Sequence, residues 1–153
     1  MDLTQLNEIP TEKVSSRLKR KAEFLKLLLA ELSERKLPDS TIRKINDEIN
    51  SLNFHLSEKS IKTSHFTKAQ YKILNILEQE TGLVPKNHYK QKWMGIGMAV
   101  FGIPLGVVFG TTQGNMAFIG IGIPIGLVMG VAIGSQKDKK AKEEGKQLQV
   151  DIM

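Results

Sequence analysis

The sequence of 153 residues contains no cysteine, which removes several kinds of site at once. Disulfide bonds, thiolate metal sites, a cysteine nucleophile and lipid attachment through a cysteine thiol are all excluded. The opening residues, MDLTQLNEIP, also lack a basic segment followed by an apolar one. We therefore expect no cleaved signal peptide, and we expect the N-terminal part to stay in the compartment where it is made.

Charge is missing from one long stretch of the chain. The 44 residues from Trp93 to Gln136 include no Lys, Arg, Asp, Glu or His, although charged residues make up 25% of the whole. One helical span of a bilayer needs about 20 apolar residues, so this run is long enough for two. A single span of that length would need an implausible tilt. The run therefore predicts a transmembrane helical hairpin over 93–135, with spans at about 93–111 and 116–135.

The flanks of the run predict its orientation. Its polar patch, TTQGN at 111–115, is uncharged, and Gly114 permits a tight turn there. Basic residues stand on both sides of the run, so the positive-inside tendency places both termini in the cytoplasm and the hairpin in the inner membrane. The flanking lysines can also attract anionic lipid, at about 1 kcal/mol per residue. The predicted interface anchors are Tyr89, Lys90, Lys92, Trp93, Lys137, Lys139 and Lys140.

Two stretches within the run repeat each other. GIPLGVVFG at 102–110 and GIPIGLVMG at 122–130 match at six of nine positions. In water so many glycines would weaken a helix by about 1 kcal/mol apiece, but lipid does not compete for backbone hydrogen bonds. Missing side chains let another backbone approach closely. The predicted helix-packing residues, at steps of four in each half, are Gly102, Gly106, Gly110, Gly114, Gly122, Gly126, Gly130 and Gly134.

Pro104 and Pro124 occupy matching positions of the repeat, near the middle of each predicted span. Each ring removes one helical hydrogen bond and leaves the carbonyl of Val100 or Gly120 without its usual donor. Two kinks of related shape, able to nest against one another, are the favoured interpretation. The alternative is a free carbonyl that coordinates an ion or forms a gate.

The paired glycine series on two short spans resembles the glycine-zipper two-transmembrane domains of small bacterial envelope proteins. The resemblance covers about 93–135 and implies a two-helix membrane hairpin. Many proteins of that type are lipoproteins with a cysteine after a signal peptide, and this sequence has neither. The resemblance therefore implies an architecture rather than an outer-membrane lipoprotein role.

The rest of the chain is predicted to be helical and cytosolic, which makes the fold class all-α. A flexible leader, 1–10, precedes a three-helix interaction unit, 11–82, and a basic connector, 83–92, leads into the hairpin. A charged cytoplasmic tail, 136–153, follows it. Within the unit, one helix starts at Thr11, a second covers about 40–57 with a heptad pattern, and a third runs from near Thr67 to Gly82. Their apolar positions are Val14, Leu18, Leu25, Leu28 and Leu32; Ile42, Ile45, Ile49, Leu52 and Leu56; and Tyr71, Ile73, Leu74, Ile76 and Leu77.

The sequence contains no pattern typical of a catalytic, metal or nucleotide site. His55, His65 and His88 are spread along the chain without metal-ligand spacing. The net charge of +6 divides into +5 before Trp93 and +1 after Gln136, without a basic stripe interleaved with aromatics, so nucleic-acid binding is not expected. The glycines at 120–126 are not followed by Lys-Ser/Thr as a phosphate loop requires. We predict no catalysis, no cofactor and no metal.

The leading interpretation is a small integral membrane protein. Its hairpin would anchor, and through its glycines oligomerise, the helical module. An oligomeric pore or membrane-permeabilising component is one alternative. The other is an accessory subunit that packs on a larger membrane protein.

Overall fold

The computed structural model describes residues 1–9, 15–58, 62–115, 117 and 119–151, and its fold is all-α as predicted. The helices are α1 (Ser16–Ser33), α2 (Asp39–Ser57), α3 (Thr63–Thr81), α4 (His88–Gly97), α5 (Ile103–Thr112) and α6 (Ile119–Glu143). A π-helical turn, Met98–Gly102, joins α4 to α5. Two short strands, β1 (Val84–Lys86) and β2 (Gln147–Asp151), pair in one sheet. The chain forms a first unit of residues 1–84 with 148–150, and a second unit of residues 85–147 with Asp151.

The first unit is built around the apolar stripes of α1, α2 and α3. The heptad stripe of α2 is confirmed, because all five of its predicted apolar residues are buried. In α3 the predicted stripe is partly wrong, since Ile73 and Leu77 are buried but Tyr71 is 73% exposed. Helix α3 ends at Thr81, and Gly82 follows it with a φ of 71°, the left-handed conformation that glycine adopts without strain. The predicted start of the first helix, at 11–14, lies outside the described residues.

The predicted flexible leader is instead held against α2 over residues 1–9. The Asn46 side chain accepts a hydrogen bond from the Thr4 amide at 2.8 Å and donates one to the carbonyl of Asp2 at 3.0 Å. The Asn53 side chain does the same with the amide of Asn7 and the carbonyl of Gln5, at 2.9 and 3.0 Å. These contacts fix the segment to α2, because each asparagine satisfies two of its backbone groups.

Two histidines that are far apart in the sequence meet in the first unit. His55, near the end of α2, stacks on His65, near the start of α3, with ring centroids 4.2 Å apart. Partial burial lowers the pKa of His65, and the nearby His55, Lys62 and Lys68 lower it further. The sequence spacing of the histidines does not indicate this pair, which the packing of α2 against α3 brings together.

Acidification is expected to weaken the first unit near pH 6.5. The folded state disfavours protonation of His65, so the unfolded chain binds more protons as the pH falls from 7 through the ordinary histidine pKa of about 6.5. The free energy of unfolding should fall over that interval and level off below the lowered pKa. Amide hydrogen exchange of α2 and α3 between pH 5 and pH 7.5 measures this, and His65→Gln should flatten the profile. An equally steep profile in the variant would contradict the assignment.

The second unit contains the hairpin, and its helices extend beyond the apolar run. α4, the π turn and α5 form one continuous helix, His88–Thr112, and α6 matches it at 25 residues. The helices thus continue beyond the predicted spans, 93–111 and 116–135, at the charged ends, and the spans themselves stay predictions. Residues 88–92, predicted as connector, are the first turn of α4. A helix of 25 residues is about 37 Å long, which exceeds the thickness of a hydrocarbon core of about 30 Å.

The predicted charged tail, 136–153, is folded over most of its length. Its first part is the end of α6, and Gln147–Asp151 form β2. Leu148 is fully buried and Val150 nearly so, both in the hydrophobic core of the first unit. The amide of Gln149 donates to both carboxylate oxygens of Glu31 in α1, at 2.9 and 2.8 Å. Buried and exposed residues alternate along β2, so Leu148 and Val150 are buried although their neighbours in the sequence are polar.

Candidate functional site: an apolar, glycine-packed helical hairpin

The hairpin exposes its large apolar side chains and buries its glycines. Both helices are long and apolar enough to cross a membrane. Only 22% of the most apolar stretch of each helix is buried within the structure. Val100, Ile103, Val108 and Val128 are each more than half exposed. A helix in a water-soluble core shows the opposite distribution, with its large apolar side chains inside. The outer surface of the hairpin is thus suited to an apolar surrounding.

The buried glycines bring the two backbones into direct contact. A Cβ atom placed on Gly122 would lie 2.6 Å from the Cα of Gly106, and one on Gly126 would lie 2.7 Å from the Cα of Gly102. Toward the charged end, a Cβ on Gly134 would lie 2.5 Å from the Cα of Lys90. Such distances leave no room for any side chain. The two glycine series therefore face each other within a single chain.

The packing face differs from the predicted series at both ends of the first helix. Gly114 lies outside it, because it is exposed in the turn with φ of 62°, and a Cβ there would meet nothing within 4 Å. Gly97, which the step-of-four pattern omits, takes a place on the face, and a Cβ there would lie 2.7 Å from the Cα of Gly130. Gly110 is buried in α5. Gly130 is buried as well, and it lies against the backbone of Trp93.

The π-helical turn explains how Gly97 joins the face. Gly102 is five positions after Gly97, whereas Gly106 is four positions after Gly102. A π turn holds one more residue than an α turn, and here the amide of Ile103 donates to the carbonyl of Met98, five residues back. The wider turn restores the alignment of the face, and it ends two positions before Pro104, whose ring nitrogen has no hydrogen to donate to the helical ladder.

The two prolines occupy different places in their helices, and the two matching kinks stay a prediction. Pro104 follows the π turn at the start of α5. Pro124 lies inside α6, which is α-helical throughout Ile119–Glu143. The difference follows from position, since Pro124 is only the sixth residue of its helix and affects hydrogen bonds of the first turns alone. Pro104 has four turns of helix before it.

Asp138 closes the charged end of the hairpin, and the sequence-based site residues do not include it. Its carboxylate accepts hydrogen bonds from the amides of Tyr89 at 3.0 Å and Lys90 at 2.9 Å, and the residue is 8% exposed. Asn87 precedes α4 with φ of 59° and provides no side-chain cap. Asp138 therefore caps α4 from the other helix, satisfying amides that a helix start leaves without partners. The sequence does carry an indication of this role, because Asp138 lies four positions after Gly134 and so continues the series of the packing face.

Removing this cap is expected to loosen the end of the hairpin. Asp138→Ala deletes two charge-assisted hydrogen bonds and leaves the amides of Tyr89 and Lys90 without these acceptors, at a cost of about 2 kcal/mol. Thermal unfolding of the full chain in detergent micelles measures the loss, and Asp138→Asn should retain part of the stability. Glu143→Ala is the matched control on α6, since its side chain is 66% exposed. Equal effects at 138 and 143 would contradict the capping role.

The predicted interface anchors gather at this same end. Lys137 Nζ lies 5.4 Å from the ring centroid of Trp93 and 5.9 Å from that of Tyr89, within the range of cation–π attraction. Lys90, Lys92, Lys139 and Lys140 are exposed. Half-buried aromatic rings beside exposed ammonium groups match the composition of a membrane–water interface.

The opposite end of the hairpin carries only uncharged polar groups. The hydroxyls of Thr111 and Thr112 donate to carbonyls of the preceding helical turn, at 2.9 to 3.1 Å. The side chain of Asn115 accepts from the amide of Ala117 at 2.9 Å. These local bonds satisfy the side chains of the turn without ionic partners.

Comparison with known proteins adds no relative. No protein-family model, curated protein or solved structure matches this chain. Within the described residues, no group of three or more His, Cys, Asp or Glu side chains is placed to hold a metal ion. Function is therefore inferred from the geometry of the hairpin and of the first unit.

Proposed function

We propose that this chain is a small integral membrane protein without catalytic activity, whose hairpin anchors the helical first unit as a cytosolic protein-interaction module. The observation that carries the proposal is where the hairpin places its residues. Glycines lie at the contact between the two helices, and large apolar side chains lie on the outer surface, the reverse of a water-soluble core. In water this surface would aggregate, whereas lipid surrounds it at no cost. The resemblance to glycine-zipper hairpins of bacterial envelope proteins supports the same conclusion.

The orientation is proposed from charge. The lysines of α4 and α6 lie at one end of the hairpin, and the uncharged turn lies at the other. Because both ends of the hairpin sequence are basic, the positive-inside tendency favours both termini in the cytoplasm of a cell with the hairpin in its inner membrane. Exposed lysines at that level also favour contact with anionic lipid headgroups.

Within this proposal, the glycines stabilise the anchor rather than an oligomer. Gly102, Gly106, Gly122 and Gly126 contact one another in one chain. A second hairpin would meet the outer apolar side chains instead, so association with other copies or with a larger membrane protein is assigned to the first unit.

Fractionation and topology mapping test the proposal together. The chain should remain in the membrane pellet after alkaline extraction. A tag inserted at Gln113 should be reached only from the non-cytoplasmic side, and a tag at either terminus only from the cytoplasm. Recovery in the aqueous supernatant, or labelling of Gln113 from the cytoplasm, would overturn it.

A further inference from the structure

One end of the first unit carries an excess of positive charge. α3 packs against both α1 and α2. At this end α2 finishes and α3 begins, because His55 stacks on His65. The second turn of α1 lies beside the second turn of α3, because Lys21 donates a hydrogen bond to the Gln70 side chain at 2.9 Å. The exposed cations at this end, called the basic surface below, are Arg17, Lys19, Arg20, Lys62 and Lys68.

The basic surface lacks internal partners. Within the part of the chain that the structure describes, none of its five cations lies within ion-pair distance of a carboxylate, although Glu23 and Glu58 are at the same end. Farther along the helices the situation is reversed. Over 27–51 and 71–81 the acidic residues outnumber the basic ones, seven to five. Three of those cations, Arg35, Lys44 and Lys72, are paired with Glu31, Glu80 and Glu48 respectively.

This arrangement opposes the stability of the helices that carry it. The first turn of a helix is stabilised by acidic side chains and destabilised by basic ones. α2 has Asp39 in its first turn, whereas α1 and α3 have no acidic residue there. Arg17 and Lys19 occupy the first turn of α1 instead. The stability of the first unit therefore does not account for the basic surface, and negative charge supplied from outside does.

Exposed aromatic side chains accompany these cations. Phe54 in α2 is 60% exposed and directly precedes His55. Tyr71 is 73% exposed and lies three residues after Lys68, on the same side of α3. Aromatic and arginine side chains are enriched in protein–protein interfaces, and guanidinium groups bind carboxylates through two parallel hydrogen bonds. The combination fits a protein segment that presents carboxylates together with apolar side chains.

The connection to the hairpin leaves this end uncovered. It follows the other end of α3, at Thr81, and α3 is about 28 Å long over its 19 residues. Helices packed about 10 Å apart make the end of a three-helix unit about 20 Å wide. An extended peptide of about six residues crosses that width. A short acidic segment can thus contact the cations without meeting the acidic residues farther along the helices.

We propose that the basic surface binds an acidic segment of a partner protein, with Phe54 in contact with an apolar side chain of that segment. This inference rests on the proposed function, since it names the chemistry of the partner that the first unit would hold at the membrane. Arg17 and Arg20 supply two guanidinium groups for carboxylates, and Lys19, Lys62 and Lys68 add positive charge around them.

Binding of a designed peptide to the full chain tests the proposal. The chain is placed in nanodiscs of phosphatidylcholine, which has no net charge. The probe is a fluorescent peptide of about twelve residues with leucine after every two glutamates, and the matched peptide has glutamine in place of each glutamate. Fluorescence anisotropy should show that the glutamate peptide binds at least ten-fold more tightly, and sodium chloride should weaken this binding.

Variants of the chain locate the binding. Arg17→Glu combined with Arg20→Glu should weaken binding of the glutamate peptide at least ten-fold. Lys36→Glu combined with Arg43→Glu is the matched control, because both residues are exposed and the net charge changes equally, so binding should stay within about two-fold. Phe54→Ala, which alters no charge, should weaken binding several-fold. Circular dichroism verifies that each variant is folded.

His65 provides a second readout at the basic surface. Partial burial lowers its pKa, and the neighbouring His55, Lys62 and Lys68 lower it further. Carboxylates bound beside these lysines favour the protonated ring, so the glutamate peptide should raise the pKa of His65. Nuclear magnetic resonance of the ring protons across a pH titration measures the change. The glutamine peptide should leave this pKa where it is.

Four outcomes would overturn the proposal. The glutamate peptide may bind no better than the glutamine peptide, or the control variant may lose as much affinity as the arginine variant. A pKa of His65 that stays constant at saturating peptide would place the carboxylates elsewhere. Tighter binding of an oligonucleotide, or loss of peptide binding in nanodiscs with phosphatidylglycerol, would assign the surface to nucleic acid or to lipid. Failure of the membrane proposal is distinct, since it appears as chain in the aqueous supernatant.

Discussion

Replacing Gly126 with leucine is expected to drive the two helices of the hairpin apart. A Cβ atom at this position would already lie 2.7 Å from the Cα of Gly102, and backbone cannot move aside as a flexible side chain can. Overpacking of a closely packed site costs about 1–3 kcal/mol and sometimes more. With backbone on the opposite side, we expect a cost of about 3 kcal/mol or more.

Gly120→Leu is the matched control. Gly120 lies in the same helix, but a Cβ there meets nothing within 4 Å. Its substitution should change the stability by no more than about 0.5 kcal/mol. The graded pair Gly126→Ala and Gly120→Ala should show the same order with a smaller difference.

The single tryptophan provides the measurement. Trp93 lies where Gly130 approaches α4 and where Lys137 covers its ring, so separation of the helices should change its fluorescence emission. Thermal unfolding in detergent micelles, followed at Trp93, compares the four variants. If Gly126→Leu and Gly120→Leu unfold at the same temperature, the glycine contact is not what holds the hairpin together.

Truncating Leu148 is expected to destabilise the first unit strongly, although this residue lies in a highly polar part of the sequence. Its side chain is completely buried in the core formed by α1, α2 and α3. Leucine-to-alanine changes in such positions cost about 2–5 kcal/mol, because they lose apolar burial and leave a cavity. Amide hydrogen exchange in α1 should accelerate accordingly, by at least ten-fold.

The neighbouring Gln149 serves as the control for this prediction. Its side chain is exposed, and its contact with Glu31 is made by the backbone amide, which alanine retains. Gln149→Ala should leave exchange in α1 nearly unchanged. Equal acceleration in the two variants would indicate that β2 contributes through its backbone alone and that Leu148 is not part of the core.

Patterns that repeat over a few residues could be predicted well. The heptad stripe of α2 from Ile42 to Leu56 is buried as its period requires. The uncharged run after Trp93 does form two helices of membrane-spanning length and composition. Both inferences depend on local periodicity and on the burial preferences of apolar side chains, which a sequence displays directly.

Short and isolated signals could not be interpreted from the sequence. Leu148 and Val150 are two apolar residues among charged ones, a pattern too brief to distinguish a strand from a solvated tail. The period of three in Leu3, Leu6 and Ile9 matches neither a helix nor a pleated strand, so it does not indicate that this part of the predicted leader, 1–10, packs on the first unit. Asp138 falls among the tail charges, since capping across helices depends on distances that sequence spacing within one helix does not contain.

Composition and periodicity were sufficient to establish that this chain has a charged helical part and an apolar glycine-rich hairpin. They were not sufficient to identify what fills the space beside each glycine. A glycine pattern marks missing side-chain volume, but the volume can be filled by the same chain or by another. Folding settled that question within one chain, because the turn at 113–115 and the wider π turn before Pro104 align Gly97, Gly102 and Gly106 with the glycines of α6. Hydrogen-bond partners far apart in sequence, such as Asp138 with Lys90, exist only once that alignment has been made.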